Sequence, residues 1–427
     1  MRTGPVISCD ISNGSMYYQM FIDKEKPAGK PKKVKFNKSD FSKFKKDYDK
    51  LAKKTGCKDI GVIYEATGVY HWPLRRYLVD NEITNYEVNP KVSHSYAKTD
   101  LNGNKTDKQD CGYISEVYYN SKKLQKYYVS EQIYNDLKQM NRDYESEVQI
   151  KVKRENAYKT KVASAWPGLA GVKGLDICSE IIIVAIRMFP TPELMTKHKE
   201  SVVDNAVIKA MNGAKHAHSE DMICKKVHRI YEFASSCVSS VRPNEQMAKS
   251  ITKAAERLQD EIELCEDDLE ELVEAAKDLP EFTIITSIRG IGANLGARII
   301  AELGDYRRFR NRKAVIAYTG LNPNVNQSGS DDGSGRAIKK NGNKHLRTIL
   351  FLAIGQILIH NGSCEIANYC KEKNKIYRIR YKILHGNEKM QRLDHIRVSK
   401  AAKTAASNKL IRVIYSILLN SSPYDNR

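Results

Sequence analysis

The chain of 427 residues carries 71 Lys and Arg against 51 Asp and Glu, a formal charge of +20, which points to a polyanionic partner with nucleic acid first and an anionic membrane surface second. Its longest apolar run, DICSEIIIVAIRMF, is far shorter than a spanning helix and contains Glu180 and Arg187, which argues against a membrane span. Nine scattered cysteines without a CxxC pair exclude a zinc ribbon or a disulfide framework, and MRTGPVISCDIS reads as a strand rather than a leader, so a soluble cytoplasmic protein is expected.

In chain order, PVISCDIS and MYYQMFID are β-rich runs around Asn-Gly-Ser and predict a hairpin, with KKVKF as a further strand. SDFSKFKKDYDKLAKKTG predicts a helix capped at Ser39 or Asp40 and closed by Gly56. IGVIYE, WPLRRYLVDN and ITNYEVN then read as strand, helix and strand. A hairpin followed by β-α-β suits an α/β domain of ribonuclease-H type.

From about residue 130 the pattern is helical and polar. Between 245 and 279, Ile251, Ala255, Leu258, Ile262, Cys265, Leu269, Leu272 and Ala276 repeat in steps of four and three, a coiled-coil seam. That seam could join two chains or pack within its own domain, and its acidic EDDLEEL face would repel DNA. Beyond Pro280, FTIITSIRGIGANLGARIIAELGDYRRF predicts two helical stretches around a Gly-Ile-Gly turn, resembling a helix-hairpin-helix. Gly290 and Gly292 there would let backbone approach a phosphate, with Arg289, Arg298, Arg307, Arg308 and Arg310 nearby. The remaining chain, through KIYRIRYKIL and AASNKLIRVIYSIL, is basic and helical.

Four carboxylates could hold metal. Asp10 lies at the end of the first apolar strand, Glu65 at the end of another, and Asp107 and Asp110 in KTDKQDCGYIS share one face of a helix start. Brought together, such hard oxygen ligands suit Mg2+ or Mn2+, and two ions could serve a phosphodiester. Separately, the same residues could be a turn residue, an exposed acid, a helix cap and a dipole partner. The order Asp, Glu, Asp, Asp on elements of the right type favours the metal reading.

VISCDIS with Asp10, EATGVY, NP at 89 to 90 and KTDKQD resemble the amino-terminal domain of the DEDD transposases of insertion sequences, a group that includes the Piv-type invertases and the bridge-RNA-guided recombinases. IRGIGANLGARIIAELGD, RFRNRKAVIAYTGLNPNVNQSG, KKNGNKHLR and NKLIRVIYSILLNSSPYD resemble that family's carboxy-terminal transposase domain. The resemblance implies a RuvC-like DEDD domain at 1–128, a helical coiled-coil connector at 129–280 and a transposase domain at 281–427. It also implies an Asp10, Glu65, Asp107 and Asp110 tetrad holding Mg2+, with Ser328 of the QSG motif as nucleophile. The expected product is a covalent phosphoserine bond to DNA, made in a tetramer built as a dimer of dimers.

Ser330 and Ser334 share the loop, so only the QSG match singles out Ser328. No His–Asp pair flanks it, and metal assistance from the carboxylates fills that gap. Arg336, Lys339, Lys340, Lys344 and Arg347 are expected to hold target and donor duplex DNA by charge, without reading sequence. A zinc finger, basic zipper or clear reader helix is missing from the pattern, and the resemblance supplies a structured guide RNA instead. The expected function is therefore an RNA-guided DNA transposase or recombinase associated with the nucleoid. A metal-dependent junction-resolving nuclease and a non-catalytic architectural protein are the alternatives.

Overall fold

The protein's structure, a computed structural model, describes residues 2–90, 92–93, 107–121, 124, 126–127, 131–212, 215–322, 338–391 and 399–426. Two units, Met1–Val129 and Ser130–Arg427, each hold together by their own contacts.

In the first unit, β1 (Val6–Ser12) and β2 (Ser15–Asp23) form the expected antiparallel hairpin. Gly14 closes it at φ 70°, a conformation that a side chain would strain. On the outer side of β2 lie β3 (Lys26–Pro27) and β4 (Lys32–Lys35), both antiparallel to it. On the other side of β1 the sheet continues in parallel through β5 (Gly61–Glu65) and β6 (Asn85–Val88). Helix α1 (Lys38–Thr55) precedes β5, α2 (Trp72–Asp80) joins β5 to β6, and α3 (Asp107–Asn120) follows. The cap of α1 differs from expectation, since Asn37 accepts a 2.8 Å hydrogen bond from the Asp40 amide. Asp40 instead reaches back to the Lys35 amide at 2.9 Å, so the two side chains satisfy donors on both sides of the helix start.

Strand alternation divides this sheet between two cores. Ile7, Cys9 and Ile11 pack with Phe44 and Leu51 of α1 and Leu74 and Leu78 of α2. Val6, Ile63 and Val88 pack on the opposite face with Ile114, Val117 and Tyr119 of α3. The amino-terminal unit is thus mixed α/β, and the described remainder is mostly helical.

In the second unit, α4 (Gln132–Ala165) and α9 (Gln246–Ala276) form an antiparallel hairpin. The direction follows from Lys161 with Ser250 at 2.6 Å and Arg154 with Glu261 at 2.5 Å, contacts that move back along α4 as they move forward along α9. Ile251, Ala255, Leu258, Cys265, Leu272 and Ala276 of the predicted seam are buried in this chain. The seam therefore packs within its own chain, largely on α4.

Between the two long helices lie α5 (Glu180–Met188), α6 (Pro192–Thr196), α7 (Glu200–Met211) and α8 (Glu220–Ser236). The apolar run is explained here: Ile181 to Ile186 are buried all round α5 within a local core. No single helix among the described residues is long and apolar enough to cross a membrane. Ion pairs tie the surface of this region, with His216 against Glu266 at 3.1 Å and His228 against Glu200 at 2.7 Å.

Those carboxylate hydrogen bonds raise both imidazoles above their usual value; Glu180 adds to the effect on His216 against Lys215, and Glu232 and Asp204 add to that on His228. A raised folded-state value stabilises below the unfolded value of about 6.5, and that contribution disappears as pH rises through the folded one. A His216→Gln, His228→Gln double variant should melt about a degree or two below wild type near pH 5.5 and converge with it near pH 8.5, by calorimetry. A gap that widens with pH would contradict this.

The carboxy-terminal part comprises α10 (Pro280–Thr286), α11 (Ala293–Leu303), α12 (Arg312–Thr319), α13 (Lys344–His360), α14 (Glu365–Gln391) and α15 (Lys400–Leu419). Its core runs through Ile349, Ile354 and Ile357 of α13 and Leu410, Ile411 and Ile414 of α15, and reaches Leu272 and Ala276 at the end of α9.

Candidate functional site

Cys9 of β1 pairs with Tyr64 of β5, so Asp10 and Glu65 are the next residues on two adjacent parallel strands. Both follow the parity of Val6 and Ile63, which places them on the α3 face. Helix α3 runs antiparallel to β1: Cys111 Sγ meets the Tyr17 carbonyl at 3.5 Å, beside Asp10, whereas Tyr119 donates to the Gly4 carbonyl at 2.9 Å. Asp110 lies one turn before Ile114, a residue that faces the sheet, so the helix brings Asp110 to the level of Asp10. The backbone of Asp107 opens the same helix, and its side chain lies outside the described residues.

The donor set is hard oxygen, which suits a divalent cation. Ser8 Oγ, on the same face two residues before Asp10, is buried without a hydrogen-bond partner, so this edge is polar beyond what the protein satisfies. Among the described residues no three His, Cys, Asp or Glu groups already stand as a formed cluster. Glu65 is instead held by Ser93, whose Oγ donates to Oε2 at 2.5 Å.

On the opposite face, His71 stands buried at the first position before α2, against Tyr64, and lies 3.6 Å from Glu87. Burial pushes its imidazole below the usual value, against the opposing pull of Glu87. Burial likewise raises the Tyr64 phenol, which hydrogen-bonds Asn85 at 3.1 Å. The charge pattern alone did not point to Ser93 or His71; their only signal was proximity to the NP and EATGVY motifs.

The loop 323–337, with Ser328 and Arg336, lies outside the described residues, but its root is described. Three backbone hydrogen bonds hold the two sides together: Lys339 to Asn322 at 2.9 Å, Lys340 to Gly320 at 3.2 Å and Asn343 to Tyr318 at 2.7 Å. Gly342 sits so close that a Cβ there would fall 2.2 Å from the Tyr318 carbonyl oxygen and 2.4 Å from the Gly320 nitrogen. Arg347 closes the root by donating to the Thr319 and Gly342 carbonyls at 2.8 and 3.1 Å. Burial lowers its guanidinium from the usual value.

Asn343 anchors this root to the helices. Its Oδ1 caps α13 by accepting from His345 and Leu346, while Nδ2 donates to the fully buried Glu302 carboxylate at 2.7 Å. Glu302 also accepts from Asn141 at 2.9 Å and from Arg142 at 2.9 Å, both on α4. Tyr318 donates to the Glu302 carbonyl at 3.1 Å. Burial works to raise that phenol, but Arg308, Lys138 and the Asn343 hydrogen bond outweigh it and leave the group below its usual value.

The expected phosphate contacts divide into two groups. Arg289, Lys339, Lys340 and Lys344 are exposed, and Gly292 opens α11 with free space where a Cβ would stand. Gly290 is at φ 102°, and a Cβ would lie 2.7 Å from Ile357 Cα, so its close approach is to α13. Arg308 stacks at 4.6 Å on Phe309 and Tyr318 and donates to the Leu303 carbonyl, and Arg347 belongs to the loop root. The sequence pattern cannot separate these groups, because a half-buried arginine bound to carbonyls and an exposed one read alike.

Two family models match parts of the chain. Residues 7–167 match the IS110 DEDD transposase model, and residues 282–370 match the model described as the transposase IS116/IS110/IS902 family. Together they cover more than half of the chain.

This chain belongs to the IS110 transposase family.

The first match of the IS110-family chain runs past the α/β unit into α4, so it includes the helix that carries Asn141 and Arg142. Among relatives, "Putative transposase y4rJ" of Sinorhizobium fredii is 34% identical over 96 residues, 22% of this chain and 24% of that protein. The "Mini-circle putative transposase for IS117" of Streptomyces coelicolor is 40% identical over 80 residues, 18% of this chain and 19% of that protein. The aligned stretches thus span under a quarter of each relative's own length.

Proposed function

We propose that this IS110-family chain is a DNA transposase that cuts and rejoins target and donor duplexes. The observation that carries the reading is the register of Asp10 beside Glu65, with α3 laid antiparallel so that Asp110 reaches the same level. Asp10, Glu65, Asp107 and Asp110 would hold Mg2+ or Mn2+, and the bound metal would supply positive charge to the attacking and departing oxygens of a phosphodiester. Ser328 Oγ is the nucleophile: its O–H proton is lost, an Oγ–P bond forms, and the P–O bond to the departing strand breaks as that oxygen takes a proton. The phosphodiester count is conserved, so rejoining needs no high-energy cofactor.

The root formed by Gly342, Asn343 and Arg347 supports that reading, since it fixes where the loop leaves the helices. Exposed Lys339, Lys340 and Lys344 beside it hold the strands by charge. A homo-oligomer, built as two dimers, unites the carboxylates of one subunit with the serine of another, and a structured guide RNA selects the sites. The carboxylate edge lies wholly within one unit, which favours a metal-dependent nuclease as the second reading.

Trapping separates them. Wild type incubated with Mg2+, duplex DNA and RNA encoded beside the gene is expected to yield DNA joined to protein after denaturation, and Ser328→Ala none. An adduct formed by Ser328→Ala rules out this serine. Cut ends without adduct in wild type establish the nuclease, and equal yields with the RNA omitted remove the guide.

A further inference from the structure

Most described tyrosines of the first unit are packing residues: Tyr18, Tyr48, Tyr64, Tyr86, Tyr118 and Tyr119 are all buried. The exposed large hydrophobics of this unit, among the described residues, are Val69 at 56%, Tyr70 at 43%, Trp72 at 45% and Val92 at 39%. All four follow β5 or β6 at the carboxyl end of the parallel strands. Three lie within seven residues of Glu65, and the fourth adjoins Ser93, which holds Glu65. Folding gains nothing from leaving a tryptophan, a tyrosine and two valines in water at one edge.

The indole is also oriented. The Arg75 guanidinium lies 5.8 Å from the Trp72 ring and 5.3 Å from the Tyr127 ring, and its Nη1 is 3.6 Å from Glu87. Arg75 thus braces Trp72 and puts positive charge behind it. The turn from Thr67 to Trp72 is fixed by hydrogen bonds from Tyr70 to Thr67 at 3.1 Å and from Trp72 to Val69 at 3.2 Å. A flat, exposed aromatic braced by a guanidinium suits a neutral π-faced group attached to a phosphate chain. The chain's formal charge of +20 favours a nucleic-acid strand as the occupant, and a paired duplex offers no free base face.

We infer that Tyr70 and Trp72 form a lip that stacks an unpaired nucleobase of a strand led to the carboxyl end of β5, the strand that Glu65 closes. The inference rests on the carboxylate edge being the place of strand cleavage. Its ligand chemistry, an unpaired base, can come from a DNA strand being opened or from an RNA strand.

Tryptophan fluorescence tests it on the full chain, because Trp166 is 1% exposed and the lip holds the other of the two tryptophans. Single-stranded DNA and RNA oligonucleotides of one sequence, and the matching duplex, are titrated without divalent metal. Saturable quenching by a single strand is expected, with about tenfold weaker binding by Tyr70→Ala, and by Trp72→Ala when binding is read by anisotropy of a labelled strand, whereas Trp72→Phe largely restores it. Quenching by DNA identifies the processed strand as the source, and quenching by RNA alone identifies a guide. Equal quenching by the duplex, or unchanged affinity in Trp72→Ala and Tyr70→Ala, overturns the lip.

The strand-cleavage assay is read separately. Cleavage abolished by Asp10→Asn with no Trp72 quenching leaves the transposase reading standing and removes the lip. Quenching in a protein that never cuts removes the transposase reading and keeps a base-binding surface.

Discussion

Asp10→Asn is expected to lower DNA strand cleavage by on the order of a hundred- to a thousandfold while leaving the fold intact. Asparagine keeps the size of the side chain and removes the charge, and Asp10 lies only partly buried towards the end of a strand whose core contacts come from Val6, Ile7, Cys9 and Ile11. A second readout does not depend on activity. Mg2+ that binds the folded state raises its melting temperature by mass action. Wild type should therefore gain a few degrees with Mg2+ at concentrations about a hundredfold above its dissociation constant, and Asp10→Asn should gain much less. Calorimetry with and without Mg2+, beside a cleavage time course, checks both halves. Full cleavage by Asp10→Asn, or an undiminished Mg2+ shift, would remove Asp10 from the site.

Gly342→Ala is expected to destabilise the second unit by about 1–3 kcal/mol, or more if the root cannot relax, and to reduce adduct formation in parallel. The new Cβ would meet the Tyr318 carbonyl oxygen at 2.2 Å, the Gly320 nitrogen at 2.4 Å and the Thr319 carbonyl carbon at 2.7 Å. These are backbone atoms, so no side chain can swing away, and the hydrogen bonds from Asn343 to Tyr318 and from Lys340 to Gly320 have to lengthen. Gly292→Ala is the matched control, since nothing lies within 4 Å of its Cβ position and its φ is −76°. It should change stability by no more than about 0.5 kcal/mol. Urea unfolding of both variants, with adduct yield measured well below the midpoint, tests the contrast. Equal stability of Gly342→Ala and wild type would show that the root yields freely.

The two variants also show which glycines mean what. In the sequence, a phosphate approach suits Gly290 and Gly292, and Gly342 is one more glycine in a basic stretch. The structure assigns Gly290 to contact with Ile357, Gly342 to contact with Tyr318, and leaves space at Gly292. A glycine signals that something comes close, and only the folded chain says what does. The arginines are similar: Arg289 is exposed, whereas Arg308 stacks on two rings and Arg347 binds two carbonyls.

By itself the sequence determined the secondary elements of the amino-terminal unit and the parity of its acids. Alternation in VISCDIS and GVIYE puts Asp10 and Glu65 on the face opposite Cys9 and Tyr64, and the three-residue step from Asp107 to Asp110 fixes a helix face. These are local properties, set by backbone geometry over a few residues. The tertiary structure decided what faces each pattern: α4 packs along α9, and Glu302 meets Asn141 and Asn343. Asn141 and Glu302 stand 161 residues apart, and no local period connects them. Such pairs arise because a buried carboxylate requires donors from whatever elements the core brings near, and that requirement is met only after the helices have packed.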